Sequence, residues 1–160
     1  MFKTCKIFAQ ILFSLILLTS CNKPPLIDPV SIDSENINNQ ILLRAAKDIN
    51  TFTTGDSITL ELKYNSINRI SFPRNFNLKY FEKMENGWIE LPEKPVERYP
   101  ADDIVFSPDS SSPTVQILSA YPSITDQTRK IHLRIYVIGG METEEGSVNV
   151  AAYTDVYLYP

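Results

Sequence analysis

Histidine and cysteine, the side chains with pKa values closest to neutral, are scarce in this chain of 160 residues. The sequence contains one histidine, His132, and two cysteines, Cys5 and Cys21. A hydrolase triad needs a base of near-neutral pKa beside a nucleophile. The Gly-x-Ser-x-Gly motif that would present such a nucleophile does not occur in the sequence. We therefore predict no catalytic residue and no enzymatic activity, and we expect His132 to be an exposed residue of a strand.

Metal chemistry has little support in the sequence either. A single histidine excludes the usual zinc spacings. Calcium needs only oxygen ligands, and carboxylates cluster at Asp102-Asp103 and in segment 142–145. Neither cluster has the Asp-x-Asp-x-Asp-Gly spacing of a looped calcium site. We predict solvated acidic loops at these positions, with no metal and no cofactor.

The thiol of Cys21 stands in a different context, at the end of an N-terminal leader. Lys3 and Lys6 precede a mostly apolar run, residues 7–18, which is too short to cross a bilayer. A positive start, a short apolar core and small residues are the layout of an export signal. The leader ends in Leu18-Thr19-Ser20-Cys21.

This ending resembles the lipobox of bacterial lipoproteins, in which an aliphatic residue and two small residues precede a cysteine. The resemblance implies that residues 1–20 are removed and that the Cys21 thiol takes up a diacylglyceryl group. It also implies that the new amino group of Cys21 is acylated, for example with palmitate. Two or more acyl chains anchor a protein stably to a membrane. The expected location is a bacterial membrane, either the outer membrane facing the periplasm or the cell surface.

The leader and its cysteine divide the chain into three parts. Residues 1–20 form the signal peptide, residues 21–38 a lipidated cysteine and a proline-containing flexible tether, and residues 39–160 one folded domain. Removing Lys3 and Lys6 with the leader lowers the basic residues from 15 to 13 against 19 acidic ones, a net charge of −6. This charge argues against nucleic acid as a partner. Without a second cysteine the domain must be stabilised by packing rather than by disulfides.

Alternating apolar and polar residues predict a domain made of strands. The clearest example is segment 57–64, where Ile58, Leu60, Leu62 and Tyr64 share one side. Segment 37–49 fits a helix or a strand, and we favour a strand at 40–44. Asn86-Gly87 predicts a hairpin turn. The other predicted strands cover residues 69–72, 76–80, 88–91, 115–118, 131–138 and 148–158, with at most a short strand at 104–106 inside the proline-rich loop 92–113.

Gly139 and Gly140 are expected to end the strand that starts at residue 131, and the acidic segment 141–146 is expected to be a loop. Seven or eight strands in about 120 residues predict an all-β antiparallel sandwich of the immunoglobulin kind, with a closed barrel as the alternative. The segments TFTTGDSITLELKYNS, IHLRIYVIGG and VNVAAYTDVYLYP resemble bacterial immunoglobulin-like domains of exported proteins. The paired cysteines flanking a tryptophan of antibody-type domains are missing, so the resemblance assigns no functional residue.

One outer face of the predicted sandwich is a candidate for binding. If the last two strands pair, Arg134 and Tyr136 share a face with Tyr153 and Tyr157. Tyrosine and arginine bury large rigid areas and keep a polar tip, as binding hot spots do. The alternative is a purely structural cross-strand ladder in which Arg134 pairs with Asp155.

The function expected from these observations is a membrane-anchored lipoprotein of the cell envelope with a non-catalytic binding or scaffolding domain. Its expected partners are the membrane, through the anchor, and an envelope protein or glycan. Two alternatives remain open. One is a proteinase inhibitor that presents loop 92–113, and the other is an enzyme that uses carboxylates or a bound metal.

Overall fold

The computed structural model of the protein describes residues 28–46, 50–95, 102–108 and 115–160. The leader and Cys21 lie outside these residues, so the lipidation site stays a prediction. Within the described ranges the chain forms strands and one short 3-10 turn, Ser34–Asn36. None of the described residues belongs to a helix that is long and apolar enough to cross a membrane.

Ten strands occur in the described residues, against the seven or eight predicted. The additional ones are three-residue strands, which are too short to show a period of two in the sequence. Segment 37–49, ambiguous in the sequence, contains a strand whose alternate residues are buried. The strands are β1 Ile41–Ala45, β2 Thr51–Thr53, β3 Ile58–Tyr64, β4 Ile70–Phe72, β5 Lys79–Met84, β6 Gly87–Leu91, β7 Ile104–Phe106, β8 Val115–Ala120, β9 Ile131–Thr143 and β10 Gly146–Tyr159.

These strands form two sheets. The smaller sheet has the order β1-β3-β8 and is antiparallel. The larger sheet has the order β2-β10-β9-β4-β7, and β5 and β6 extend it from β9. One edge of β9 pairs with β10 along its whole length, while the other edge pairs with β5 near its start and with β4 near its end. The predicted Asn86-Gly87 turn is confirmed, since it joins β5 to β6 and Gly87 has a φ of 140°.

The inner faces of the two sheets enclose one hydrophobic core, which confirms the all-β sandwich. The alternation predicted for segment 57–64 is present, with Ile58, Leu60 and Leu62 fully buried. From the larger sheet they meet Leu133 and Ile135, which are also fully buried. The immunoglobulin-like character of the sandwich remains a resemblance.

The prediction that Gly139 and Gly140 end a strand is wrong. β9 continues through both glycines to Thr143, and the turn is only Glu144–Glu145. A Cβ atom on Gly139 would lie 2.8 Å from the ring of Phe72 and 2.8 Å from the carbonyl oxygen of Ser71. The glycine is therefore needed because β4 packs closely against β9, which is a recognised use of glycine within a strand.

The prediction of a flexible tether is also wrong for residues 28–38, which we call the strap. The strap packs on the outer side of the larger sheet and ends beside β10, where Ile37 pairs in parallel with Ala151. The backbone N–H of Asn38 donates to the carbonyl of Ala151 at 2.9 Å, and the Asn38 side chain accepts from the N–H of Tyr153 at 2.8 Å. Residues 28–38 thus belong to the packed part of the chain. The remaining tether residues, 21–27, lie outside the described ranges.

Apolar strap residues explain why this segment does not remain free. A second hydrophobic cluster forms on the outer side of the larger sheet around the buried side chains of Phe81, Tyr136 and Ala151. The strap covers this cluster and removes its apolar surface from water. The partly buried residues that pack against it are Val30, Ile32, Ile37, Trp88, Ile138 and Tyr153.

Candidate functional site

The candidate site is the outer face of the larger sheet, which we define as the side away from the core along β6, β5, β9 and β10. The predicted pairing of the last two strands is confirmed, and it sets Arg134 opposite Asp155, His132 opposite Tyr157, and Tyr136 opposite Tyr153. β5 and β6 add further side chains to the same face. Phe81 lies opposite both Arg134 and Glu90, Lys83 lies opposite Trp88, and Lys79 lies opposite Tyr136.

Arg134 is at the centre of this face. Its guanidinium donates two hydrogen bonds to the Asp155 carboxylate, at 2.8 and 2.9 Å. The guanidinium carbon also lies 4.0 Å from the ring centroid of Tyr153 and 4.6 Å from that of Trp88. The hydrogen bonds to Asp155 raise the pKa of Arg134 above its ordinary value against the opposing effect of burial. A planar cation is therefore held in one orientation between two aromatic rings, with 17% of its side chain exposed.

His132 continues the stack beside Arg134. Its ring lies 4.9 Å from that of Tyr157 and 5.5 Å from that of Trp88. The Nε2 atom is 3.6 Å from Asp155 Oδ1, and it has no hydrogen bond to any of the described residues. Burial lowers the pKa of His132 below 6.5, and the charges of Lys83 and Arg134 add to this effect while Asp155 opposes it. His132 is therefore half-buried and neutral at pH 7 rather than fully exposed as predicted.

Lowering the pH from about 7.5 to about 5 is expected to destabilise the protein partly through His132. Because the folded protein has the lower pKa, the unfolded chain takes up the proton first as the pH falls. The free energy of unfolding is therefore unaffected by this group above its ordinary pKa and decreases as the pH falls through the two pKa values. The variant His132→Gln has no group to titrate, so its thermal unfolding midpoint should fall less between the two pH values. Equal falls in both proteins would contradict this assignment.

Tyr136 lies on the predicted face, but it is buried and not exposed as a binding residue would be. Its side chain has no exposed surface, because Phe81, Tyr153 and the strap cover it. The hydroxyl group donates to Asp28 Oδ1 at 2.5 Å. Burial is the main cause that raises the pKa of Tyr136 above its ordinary value. Tyr136 therefore holds the strap to the sheet and cannot contact a partner while the strap is in place.

Lys130 and Tyr159 extend the face at the end of β10. The Lys130 ammonium lies 4.7 Å from the ring centroid of Tyr157 and 4.8 Å from that of Tyr159. Tyr159 is 40% exposed. Arg134, Tyr153 and Tyr157 thus lie together on one face, as predicted. Trp88, Lys130 and Tyr159 also lie on this face, and the sequence did not identify them as part of it. Trp88 could have been assigned to a hairpin, but not to this face, since the sequence does not show which strand β5 joins.

Acid–base or metal chemistry on the two sheets would depend on how their carboxylates are grouped. Among residues 28–46, 50–95, 102–108 and 115–160 there is no group of three or more His, Cys, Asp or Glu side chains that could hold a metal ion. The buried Glu82 carboxylate is 2.5 Å from the Arg129 guanidinium, in an ion pair. An open depression of about 400 Å³ is lined by the β5–β6 hairpin, residues 84–89, and has Glu85 as its one ionisable side chain. Neither of these two arrangements is a pair of facing carboxylates.

The proline-rich segment 92–113 is described only in part. Glu93 bridges to Pro122, and its carboxylate accepts a hydrogen bond from the Tyr80 hydroxyl at 3.1 Å. β7 pairs with β4. Residues 96–101 and 109–114 lie outside the described residues, so the inhibitor-loop hypothesis stays a prediction. Comparison of the chain with protein-family models, curated proteins and solved structures finds no match.

Proposed function

We propose that this protein is an exported, membrane-anchored lipoprotein of the bacterial cell envelope. The observation that supports the anchor is the position of Cys21, directly after small residues at the end of a complete export signal. Lipidation at this thiol holds the folded domain at a membrane surface. The intact mass of the protein isolated from cells tests this step, since a chain that starts at Cys21 and carries acyl groups is expected.

We further propose that the domain is a non-catalytic binding module and that the outer face of the larger sheet is its binding surface. The observation that carries this proposal is the ordered stack of Arg134 between Trp88 and Tyr153, with Asp155 fixing the guanidinium. Side chains that are ordered before binding lose little conformational entropy on association. Tyr, Trp and Arg are also the residues most often found at binding hot spots.

Photo-cross-linking in cells tests the binding surface. A photo-reactive residue in place of Tyr159 should give a defined adduct, and Arg134→Ala or Tyr157→Ala should reduce its yield by about tenfold or more, because hot-spot side chains contribute about 2 kcal/mol or more. Arg44→Ala is the matched control, since Arg44 is ion-paired with Glu61 at 2.6 Å on the smaller sheet. The face is not the binding surface if folded Arg134→Ala and Arg44→Ala proteins give the same adduct yield.

A further inference from the structure

The strap determines where the chain leaves the domain towards the anchor. Asp28 accepts the hydrogen bond of the buried Tyr136 hydroxyl, and Asn38 is bonded to β10 at the other end of the strap. The described chain therefore begins, at residue 28, on the outer face of the larger sheet.

The short distance from the strap to the proposed anchor restricts how the domain can be oriented. Cys21 and Asp28 are seven residues apart, and an extended chain of seven residues spans at most about 25 Å. Packed sheets are about 10 Å apart, and side chains cover both outer sides. A chain leaving the larger sheet would have to pass around this thickness for the smaller sheet to face the membrane. The short link therefore favours an orientation in which the outer face of the larger sheet, rather than the smaller sheet, is turned towards the bilayer.

The side chains on this face are those that favour the boundary between water and lipid. Trp88, Tyr153, Tyr157 and Tyr159 each retain exposed surface. Tryptophan and tyrosine concentrate at membrane interfaces because their rings are apolar and their polar atoms stay hydrated. Lysine stems can lie along such rings while the ammonium reaches the headgroups, and Lys130 already lies over Tyr157 and Tyr159.

The end of this face at Trp88 differs in charge from the whole mature chain. The chain without its leader has a net charge of −6. The rows around Arg134 contain more cations than anions, since His132 is neutral at pH 7. Three acids, Asp28, Asp33 and Glu35, belong to the strap, which covers the part of the face around Tyr136 and Ala151. Lys79 and Glu90 neutralise each other in an ion pair. At the Trp88 end the cations are Lys83, Lys130 and Arg134, and the anions are Asp155 and Glu85 of the adjoining turn.

From the exit of the strap, the short link, the aromatic residues and the local charge, we infer that the outer face of the larger sheet rests on the bilayer that holds the anchor. Its partner is a surface of anionic phospholipid headgroups. This inference rests on the proposed lipidation of Cys21 and names the partner of the proposed binding surface. Cations near an anionic membrane surface are attracted over about a Debye length, so the contact requires anionic lipid and weakens with salt.

Trp88 is the single tryptophan of the chain and lies on this face, so its fluorescence can test the contact. The lipidated protein isolated from cells is placed in phosphatidylcholine vesicles that contain phosphatidylglycerol, with or without brominated acyl chains. Brominated lipid is expected to reduce Trp88 emission about twofold or more, and omission of phosphatidylglycerol should reduce this quenching. The double variant Lys83→Gln and Lys130→Gln should also show reduced quenching.

The control moves the tryptophan to the smaller sheet. Ile117 is 53% exposed on the outer side of β8, so Trp88→Phe combined with Ile117→Trp should show little quenching. Absence of quenching at position 88, or equal quenching at positions 88 and 117, would overturn the inference. The inference would also be wrong if position 159 cross-links to a protein or glycan while position 88 is not quenched.

The intact mass of the same sample separates this inference from the proposed lipidation. If the mass shows an unmodified Cys21, the lipoprotein proposal fails. The orientation is then tested with the full-length Cys5→Ser protein, in which Cys21 is the one remaining thiol and can be coupled to a maleimide-bearing lipid in the vesicles. Quenching at position 88 would then support the contact surface, and its absence would overturn that surface.

Discussion

Replacing Cys21 with serine is expected to abolish the attachment of lipid to this protein. In the proposed lipoprotein the thioether to the diacylglyceryl group forms at the Cys21 sulfur, and the serine hydroxyl is a much weaker nucleophile than a thiolate. Each buried CH₂ group of an acyl chain contributes about 0.8 kcal/mol to membrane binding, so the loss of two or more chains removes the anchor completely. Cells grown with an alkyne-labelled fatty acid should label the wild-type protein and leave Cys21→Ser unlabelled.

Cys5→Ser is the matched control, because Cys5 is the other cysteine of the chain and lies inside the leader. This variant should be labelled as strongly as the wild type, and its mature form should have the wild-type mass. Cys21→Ser should lack the acyl mass and should not begin at residue 21 through the lipoprotein pathway. Fatty-acid labelling that persists in Cys21→Ser would show that the lipid is attached elsewhere.

Gly139→Ala adds one methyl group inside a strand and is expected to destabilise the protein strongly. The new methyl group would lie 2.8 Å from both the Phe72 ring and the Ser71 carbonyl oxygen, and the carbonyl belongs to the backbone of β4. Either β4 or β9 must move, although Phe72 is 1% exposed within the packed core. Overpacking of this kind costs about 1–3 kcal/mol, and sometimes more. The free energy of unfolding in urea should decrease by about this amount.

Gly140→Ala provides the control at the next position of the same strand. A Cβ atom there would meet the Ser147 hydroxyl at 3.4 Å and the Ser71 hydroxyl at 3.8 Å, which are ordinary contacts. Alanine also restricts the unfolded chain more than glycine does, so the change should be neutral or stabilising by up to about 1 kcal/mol. Similar unfolding free energies for the two variants would contradict the close approach of β4 and β9 at Gly139.

The arrangement of the strands could be predicted only where it depends on residues that are close together in the sequence. The alternation of Ile58, Leu60 and Leu62 identified β3 and its buried side, because successive side chains of a strand point to opposite faces. The antiparallel pairing of β9 with β10 followed from their closeness in the sequence, and it placed Arg134 beside Asp155. The pairing of β5 with β9 brings together residues about 50 positions apart, and no local pattern indicated it. Trp88 was therefore not assigned to the Arg134 cluster.

Two of the corrected predictions, the strand end at Gly139 and the flexible tether, have the same physical origin. The pair Gly139-Gly140 indicates the end of a strand, because glycine weakens strands locally. In the folded protein β9 continues through both residues, because the Phe72 ring leaves no room for a side chain at position 139. Pro29 and the polar residues around it favour an extended tether. Val30, Ile32 and Ile37 are nevertheless buried in part, because Phe81, Tyr136 and Ala151 present an apolar surface that matches them.

By itself the sequence predicted a short apolar leader that ends at a cysteine, and it determined the alternation that produces a sandwich. A leader is recognised as a linear segment, and a strand buries alternate residues whichever strand it pairs with, so both depend on the order of residues alone. Only the tertiary structure decided which side chains share the outer face, that Tyr136 is covered, and that residues 28–38 are held against the sheet. These features depend on contacts between residues far apart in the chain, and such contacts form only when the two sheets and the strap pack together.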